Sequence, residues 1–318
     1  MRPPEIITFG EAMALLLAEP GRPLEHAEAF RRSVAGAESN TAAALARLGH
    51  RAGWFGRVGG DAFGRAVLRT LRGEGIDVSR ARTDDTSPTG MIVRDCHAER
   101  AIEVLYHRAG SAGSRLHPED VDTAYIASAR VLHITGVTAA LSVSALDACI
   151  AAADAARAAG TTVSFDPNIR LKLLPATSWP ALLAPLVERA DILLTGADEA
   201  ELLTGAPGRQ QAADGLLARG PRLVVVKDGA RGAWATDGTG RWAAPAHPVT
   251  AHDPVGAGDA FNAGFLSAHL RGLPVPEALA EAAVVAAHAV QIPGDLDGLP
   301  TARQRDTALA GAAGTIIR

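Results

Sequence analysis

Near its C-terminal end the chain reads Asp253-Pro254-Val255-Gly256-Ala257-Gly258-Asp259, followed by an apolar, helix-compatible stretch. Glycine tolerates positive φ and lets backbone N–H groups approach a ligand closely. Such a loop feeding a helix N-terminus suits an anion, because unpaired N–H groups and the helix dipole point outward together. Asp259 then has two readings. It could cap the helix, or it could be a base held where a transferred phosphoryl group sits.

The elements that would position this run alternate along the chain. Ile6 to Phe9, Val131 to Thr135, Thr162 to Phe165, Ile192 to Leu194 and Leu223 to Val226 read as short apolar strands, with helix-period segments between them. Thr41 to Leu48 is expected as a helix capped by Ser39 or Asn40 and stopped by Gly49, and Ser142 to Ala159 as another ended by Gly160. This pattern predicts an α/β fold with a mainly parallel sheet covered on both faces. Two stretches break the rhythm, at about 11–32 and 89–108. There Met91-Ile92-Val93 and Ile102-Glu103-Val104-Leu105 read as strands paired through a polar turn around His97 to Arg100. They predict one small projecting sheet, of the kind that covers sites from which water must be excluded.

Composition narrows the class. The 318 residues are 47% hydrophobic and carry a net charge of −4, which gives no sign of a nucleic-acid or membrane partner. Cys96 and Cys149 lie far apart without metal spacing, and suit buried thiols in a reducing compartment. No apolar leader is visible after Met1 and no apolar run could span a bilayer, so a cytoplasmic protein is expected.

Four motifs in order resemble those of ribokinase-type (PfkB) carbohydrate kinases over nearly the whole length. They are Ala35-Gly36-Ala37-Glu38-Ser39-Asn40, Gly56-Arg57-Val58-Gly59-Gly60-Asp61, Val226-Lys227-Asp228-Gly229-Ala230-Arg231-Gly232, and the glycine run at 256–259. The resemblance implies a single kinase domain over 1–318. Its fold would be a ribokinase-like doubly wound sheet flanked by helices, with a β lid formed by about 11–33 and 88–110. It also implies transfer of the ATP γ-phosphoryl group to a sugar hydroxyl, with Asp259 as base and Gly256, Ala257 and Gly258 offering N–H groups to the phosphoryl oxygens. Lys227, Gly229 and Gly232 would belong to the nucleotide loop. His288 would pack against adenine or against its own helix. Mg²⁺ would be organised by Glu199, in a motif whose usual asparagine is Gly196 here; Asp198 or Glu201 could compensate. A monovalent cation such as K⁺ could sit near Asp253, and a homo-oligomer is expected.

Within the family the best match is to 2-keto-3-deoxygluconate kinases. Phe165-Asp166-Pro167-Asn168-Ile169-Arg170 matches their Asp-x-Asn-x-Arg motif, and Val104 to Ala112 resembles their lid segment with Tyr106 and Arg108. This implies a keto-sugar acid, contacted by Gly36, Asn40, Tyr106, Arg108, Asn168, Arg170 and Asp259. Arginine holds carboxylates bidentately, and Arg108 and Arg170 could converge on one. The second lid tyrosine of that group is His107 here, and a tyrosine common after Thr-Gly-(apolar) is Ile92, which leaves the exact sugar open. A fructokinase and a non-catalytic sugar-binding protein stay open as alternatives.

Overall fold

The computed structural model describes residues 3–97 and 101–311. Its strands in chain order are β1 (Ile6–Phe9), β2 (Met13–Ala18), β3 (Phe30–Ala35), β4 (Ala52–Phe55), β5 (Arg57–Gly59), β6 (Arg82–Asp84), β7 (Met91–Arg94), β8 (Val104–His107), β9 (Val131–Thr135), β10 (Thr162–Asp166), β11 (Ile192–Gly196), β12 (Leu223–Lys227), β13 (Ala233–Thr236) and β14 (Arg241–Ala244). The main sheet has eight strands in the order β14-β13-β12-β11-β10-β9-β1-β4. The pairs from β4 through β12 are parallel, whereas β12–β13 and β13–β14 are antiparallel.

Side-chain alternation divides the core. Ile6, Val131, Ile192, Leu194 and Val225 face one cluster, with the helices Ala37–Arg47, Ala257–Leu270 and Val275–Ala289. Ile7, Phe9, Leu132, Ile134, Leu193, Val224 and Val226 face the other, with Val143–Ala159, Trp179–Val187 and Arg209–Leu217. Period-2 strands apolar on both faces require a helical layer on each side. The 143–159 helix starts at Ser142, whose hydroxyl accepts from the Ala145 N–H at 3.1 Å, and ends at Gly160 with φ 75°.

Two expectations need correction. The first signature helix begins at Ala37, not Thr41, and its N-cap is Gly36 at φ 149° with no side-chain cap. Ser39 and Asn40 therefore lie inside the helix; the Ser39 hydroxyl donates back to the Gly36 carbonyl at 3.0 Å, and the Asn40 amide is left to reach other partners. The strand expected at 102–105 runs instead over 104–107, pairing Met91 with His107 and Arg94 with Val104. The turn expected around 97–100 lies largely outside the described residues.

A second sheet, of four strands in the order β3-β2-β7-β8, stands apart from the first and has a core of its own built on Met13, Leu15, Leu17, Ala35 and Ile92. Along β8 the side chains alternate: Val104 and Tyr106 are half-buried, Leu105 and His107 exposed. His107 thus faces away from Tyr106, and its replacement of a tyrosine leaves the inner face unchanged. Lys172, from the loop after β10, donates to the Val104 carbonyl at 3.0 Å and ties that loop to the edge of the second sheet. Among the described residues no helix is long and apolar enough to cross a membrane.

Candidate active site

Between the second sheet and the carboxyl ends of β10 to β12 lies a cavity of about 430 Å³. Ligands of open α/β sheets bind at this end of the strands. Met13, Leu15, Ile92, Val104, Tyr106 and Arg108 form its cover, and Asp166, Asn168, Arg170, Gly196, Glu199 and Lys227 form its sheet side. Gly36, Asn40, Gly256, Gly258 and Asp259 close the third wall.

Asp259 lies in the first turn of the 257–270 helix, whose N-cap Gly256 has φ 82°. Its carboxylate is almost fully buried and held from both sides. Asn40 donates to Oδ2 at 2.9 Å and Asn168 to Oδ1 at 3.3 Å. Burial pushes the carboxyl up to about 7, against the opposing pull of the Asn40 hydrogen bond and the Arg170 charge. A carboxyl tuned to neutrality is suited to accept a proton at working pH. Asn168 reaches it through a left-handed backbone, at φ 43° the only non-glycine positive φ among the described residues, and its N–H donates to Asp166 Oδ1 at 3.1 Å. The amide oxygens of Asn40 and Asn168 are buried without a protein partner. Hydroxyl donors would satisfy them.

Beside Asp259, Lys227 at the end of β12 donates to Asp166 at 2.7 Å and to Asn262 at 3.2 Å, while Asn262 donates to Asp166 at 2.6 Å. Burial alone would raise Asp166, but the Lys227 charge and these hydrogen bonds hold it below the usual carboxylate range. Lys227 Nζ lies 3.8 Å from where a Cβ on Gly258 would stand, so its charge adjoins the start of the helix.

The two arginines differ. Arg108 is buried, lies 5.7 Å from the Tyr106 ring centroid, and pairs with Glu11, which also accepts from Ser111 at 2.7 Å. Its charge is therefore matched inside the protein. Arg170 is exposed at the mouth, donates only to the Ile169 carbonyl at 3.2 Å, and forms no ion pair among the described residues. Both arginines line the one cavity, Arg108 paired with Glu11 and Arg170 without an ion pair among the described residues.

Glu199 accepts from the Ile169 N–H at 2.6 Å and, from the third position of the Ala197–Thr204 helix, from the N–H of its N-cap Gly196 at 2.7 Å. Burial and then the Asp166 charge raise its carboxyl. Gly229 and Gly232 sit in the turn between β12 and β13, at φ 54° and 93°, outside the cavity wall, as does Ala257. His288, half-buried on the 275–289 helix, is also outside; desolvation and the neighbouring His247 lower its pKa. Among the described residues no group of three or more His, Cys, Asp or Glu could hold a resident metal.

Sequence reasoning gave no role of their own to Arg94, Asp295, Glu11 or Glu38, although Glu11 lies in the Gly10-Glu11-Ala12-Met13 segment and Glu38 in the first signature motif. Arg94, at the end of β7 and 1% exposed, donates to Asp253 at 2.8 Å and Asp295 at 3.0 Å. Asp253, expected to support the loop or a cation, gives Oδ1 to the Val255 N–H at 3.1 Å and Oδ2 to Arg94 and to the Gly294 N–H at 3.0 Å. Glu38, in the first turn of the first signature helix, is fully buried, accepts from Thr135 and Thr138 at 2.7 Å each, and is pushed up to about 7 by burial. Nothing in the sequence marks Arg94 or Asp295. Glu38 could have been suspected as an acid at an otherwise small, apolar helix start.

Comparison with known proteins gives one consistent picture. Residues 4–302 match the pfkB family of carbohydrate kinases. The chain is 38% identical to 2-dehydro-3-deoxygluconokinase of Bacillus subtilis, covering 98% of this chain and 97% of that protein. It is 36% identical to 2-dehydro-3-deoxygluconokinase of Thermoproteus tenax, covering 96% and 94%. A ribokinase II candidate from Escherichia coli, solved with ATP and Mg²⁺, superposes with a TM-score of 0.90 at 25% identity, over 97% of this chain and 99% of that one.

Proposed function

From the premise that the chain belongs to the pfkB family of carbohydrate kinases, we propose that it phosphorylates a keto-sugar acid, 2-keto-3-deoxygluconate, at the expense of ATP. The observation that carries this reading is the unpaired Arg170 at the mouth of a cavity whose inner end holds Asp259. An arginine without an internal carboxylate offers its two-pronged face to one on a ligand. The relatives from Bacillus and Thermoproteus named above support the same substrate.

The roles follow from chemistry. The carboxylate of the sugar acid pairs with Arg170, and its hydroxyls donate to the free amide oxygens of Asn40 and Asn168. Tyr106 and Arg108, held by Glu11, form the cover. The acceptor hydroxyl gives its proton to Asp259 as its oxygen forms a bond to the γ-phosphorus, and the bond from that phosphorus to the β-phosphate oxygen breaks. The N–H groups at Gly256 to Gly258 and the Lys227 ammonium stabilise the charge on the transferred group. Gly229, Gly232 and His288 lie toward the nucleotide. Mg²⁺ bound with ATP would offset phosphate charge. Glu199 would hold it through bound water rather than directly, since its oxygens already accept from the Ile169 and Gly196 N–H groups. Beside Asp253, whose Oδ1 accepts from the Val255 N–H and Oδ2 from Arg94 and the Gly294 N–H, the reading takes Arg94 rather than K⁺ as the neighbouring positive charge.

ADP release measured with 2-keto-3-deoxygluconate and with fructose tests this. The acid should be the better substrate by kcat/KM. Faster turnover of fructose would replace it with the fructokinase alternative, and no turnover of either would leave the non-catalytic one.

A further inference from the structure

We propose that Arg94, a residue of the second sheet, is a positioning residue for Asp259 and that its guanidinium serves as the site's own monovalent cation. This rests on the reading of Asp259 as the base. Five hydrogen bonds join them, three in a direct chain and two through the loop before the helix. Arg94 donates to Asp295 Oδ1 at 3.0 Å, and Asp295 Oδ2 accepts from Asn40 Nδ2 at 3.3 Å. The same Asn40 Nδ2 donates to Asp259 Oδ2 at 2.9 Å. Through Asp253, at 2.8 Å, Arg94 also holds the loop that opens the 257–270 helix, since Asp253 accepts from the Val255 N–H.

The chemistry of an amide explains why the chain matters. Asn40 has a donor end and an acceptor end, and only the donor end suits an ionised base. An anionic Asp295 can only accept, so it fixes the Asn40 NH₂ toward both acids. Burial favours protonation of Asp295, and the Arg94 charge opposes it. A protonated Asp295 would carry a donor of its own and would draw the Asn40 oxygen, turning the amide around. Asp259 would then lose the hydrogen bond that most stabilises its charge.

Other groups also face Asp259. Arg170 and Asp166 approach from β10 and its loop, Lys227 acts through Asp166, and Glu38 lies below on the 37–47 helix. None of these is hydrogen-bonded to Asn40, so apart from Asp259 itself, at 2.9 Å, the acceptor that orients its amide is Asp295 and, behind it, Arg94. A free monovalent cation beside Asp253 would compete with a guanidinium that is already buried there and covalently tethered.

The test compares wild type with Arg94→Gln, which keeps hydrogen-bond donors and removes the charge, and with Arg94→Lys, which keeps the charge. The Asp259 titration is followed without substrate by the ¹³Cγ resonance, assigned by its loss in Asp259→Asn. In Arg94→Gln the midpoint should rise by about one pH unit, which lowers the ionised fraction at pH 7, and kcat with it, about fivefold. KM for ATP should stay unchanged, and Arg94→Lys should recover most of the shift. Wild-type turnover should be equal in potassium and choline chlorides at one ionic strength. If Arg94→Gln does not fold, Arg94→Gln/Asp253→Asn removes one of the two acids left without the cation, keeps Asp295, and should show the same rise. An unmoved midpoint in the folded variant, or a potassium requirement in the wild type, overturns the proposal. Because the titration needs no substrate, it is decided even if no sugar is phosphorylated.

Discussion

Asp259→Asn should separate catalysis from stability, and the structure sets both magnitudes. The substitution keeps size but removes proton acceptance, and general-base assistance is typically worth ~10²–10⁴-fold in turnover. Stability should move the other way. Burial raises the Asp259 carboxyl from 3.8 to about 7 in the folded protein. Below pH 4 both folded and unfolded chains hold the proton and the group contributes nothing against folding. As pH rises from 4 to 7 the unfolded chain releases it while the folded chain retains it, so stability falls. Above 7 the loss is complete, and a shift of roughly three units corresponds to about 4 kcal/mol. The variant has no such loss. Urea unfolding of both proteins should show the variant gaining little at pH 4 and up to about 4 kcal/mol at pH 8. Glu38, raised in the same sense, is present in both and largely cancels from the difference. The wild-type rate at saturating ATP and sugar should fall tenfold per unit below about pH 7. A stability difference that is flat with pH, or an Asn variant with near wild-type turnover, would refute the reasoning.

Arg170→Lys should cut kcat/KM for the sugar acid about tenfold to a hundredfold, from a charge-assisted contact worth ~1.5–3 kcal/mol, and should spare fructose; equal losses on both substrates would make Arg170 structural. Lys227→Met leaves Asp166 buried without its cation and should cost about 3–5 kcal/mol in urea unfolding as well as turnover; a cost under about 1 kcal/mol would show that the amides of Asn262 suffice. Gly36→Ala places a Cβ 2.3 Å from the Glu11 carbonyl oxygen at a φ of 149°. It should lower stability by more than about 2 kcal/mol, and a wild-type melting temperature would mean the backbone yields there.

The sheet was legible where one strand is one apolar run, as in Val131–Thr135 or Leu223–Lys227. Ala52–Phe55 was not, because Gly53 interrupts its apolar pattern, and the antiparallel β13–β14 pair carries mixed polarity. The start of the signature helix was misjudged because serine and asparagine are good caps, whereas the real cap is a glycine whose φ no other residue adopts easily. In the site, Asp259, Asn40, Asn168 and Lys227 stand in short motifs with local spacing, and the structure brings all four to one cavity. The pairing of Arg94 with Asp253 and Asp295 spans 159 and 201 residues. No local pattern encodes such a contact, since Arg94 and Asp295 each alone read as a surface charge. Arg108 shows the converse: its motif was recognised, but its neutralising partner Glu11 lies 97 residues away.

The strand order of the main sheet also sets a timetable for synthesis. Strands β9 to β13 follow one another in chain order and in space, so that half can assemble from local pairings. β1 pairs with β4 on one side early, but its other neighbour is β9, more than a hundred residues downstream. All four strands of the second sheet emerge from the ribosome in that interval. Until residue 135 has followed, the β1–β4 pair presents an open edge carrying Ile6, Ile7 and Phe9, all fully buried in the finished protein. An unpaired apolar edge is the element through which nascent chains join each other. The N-terminal third thus carries a sheet edge that stays open until a partner strand more than a hundred residues downstream has been made.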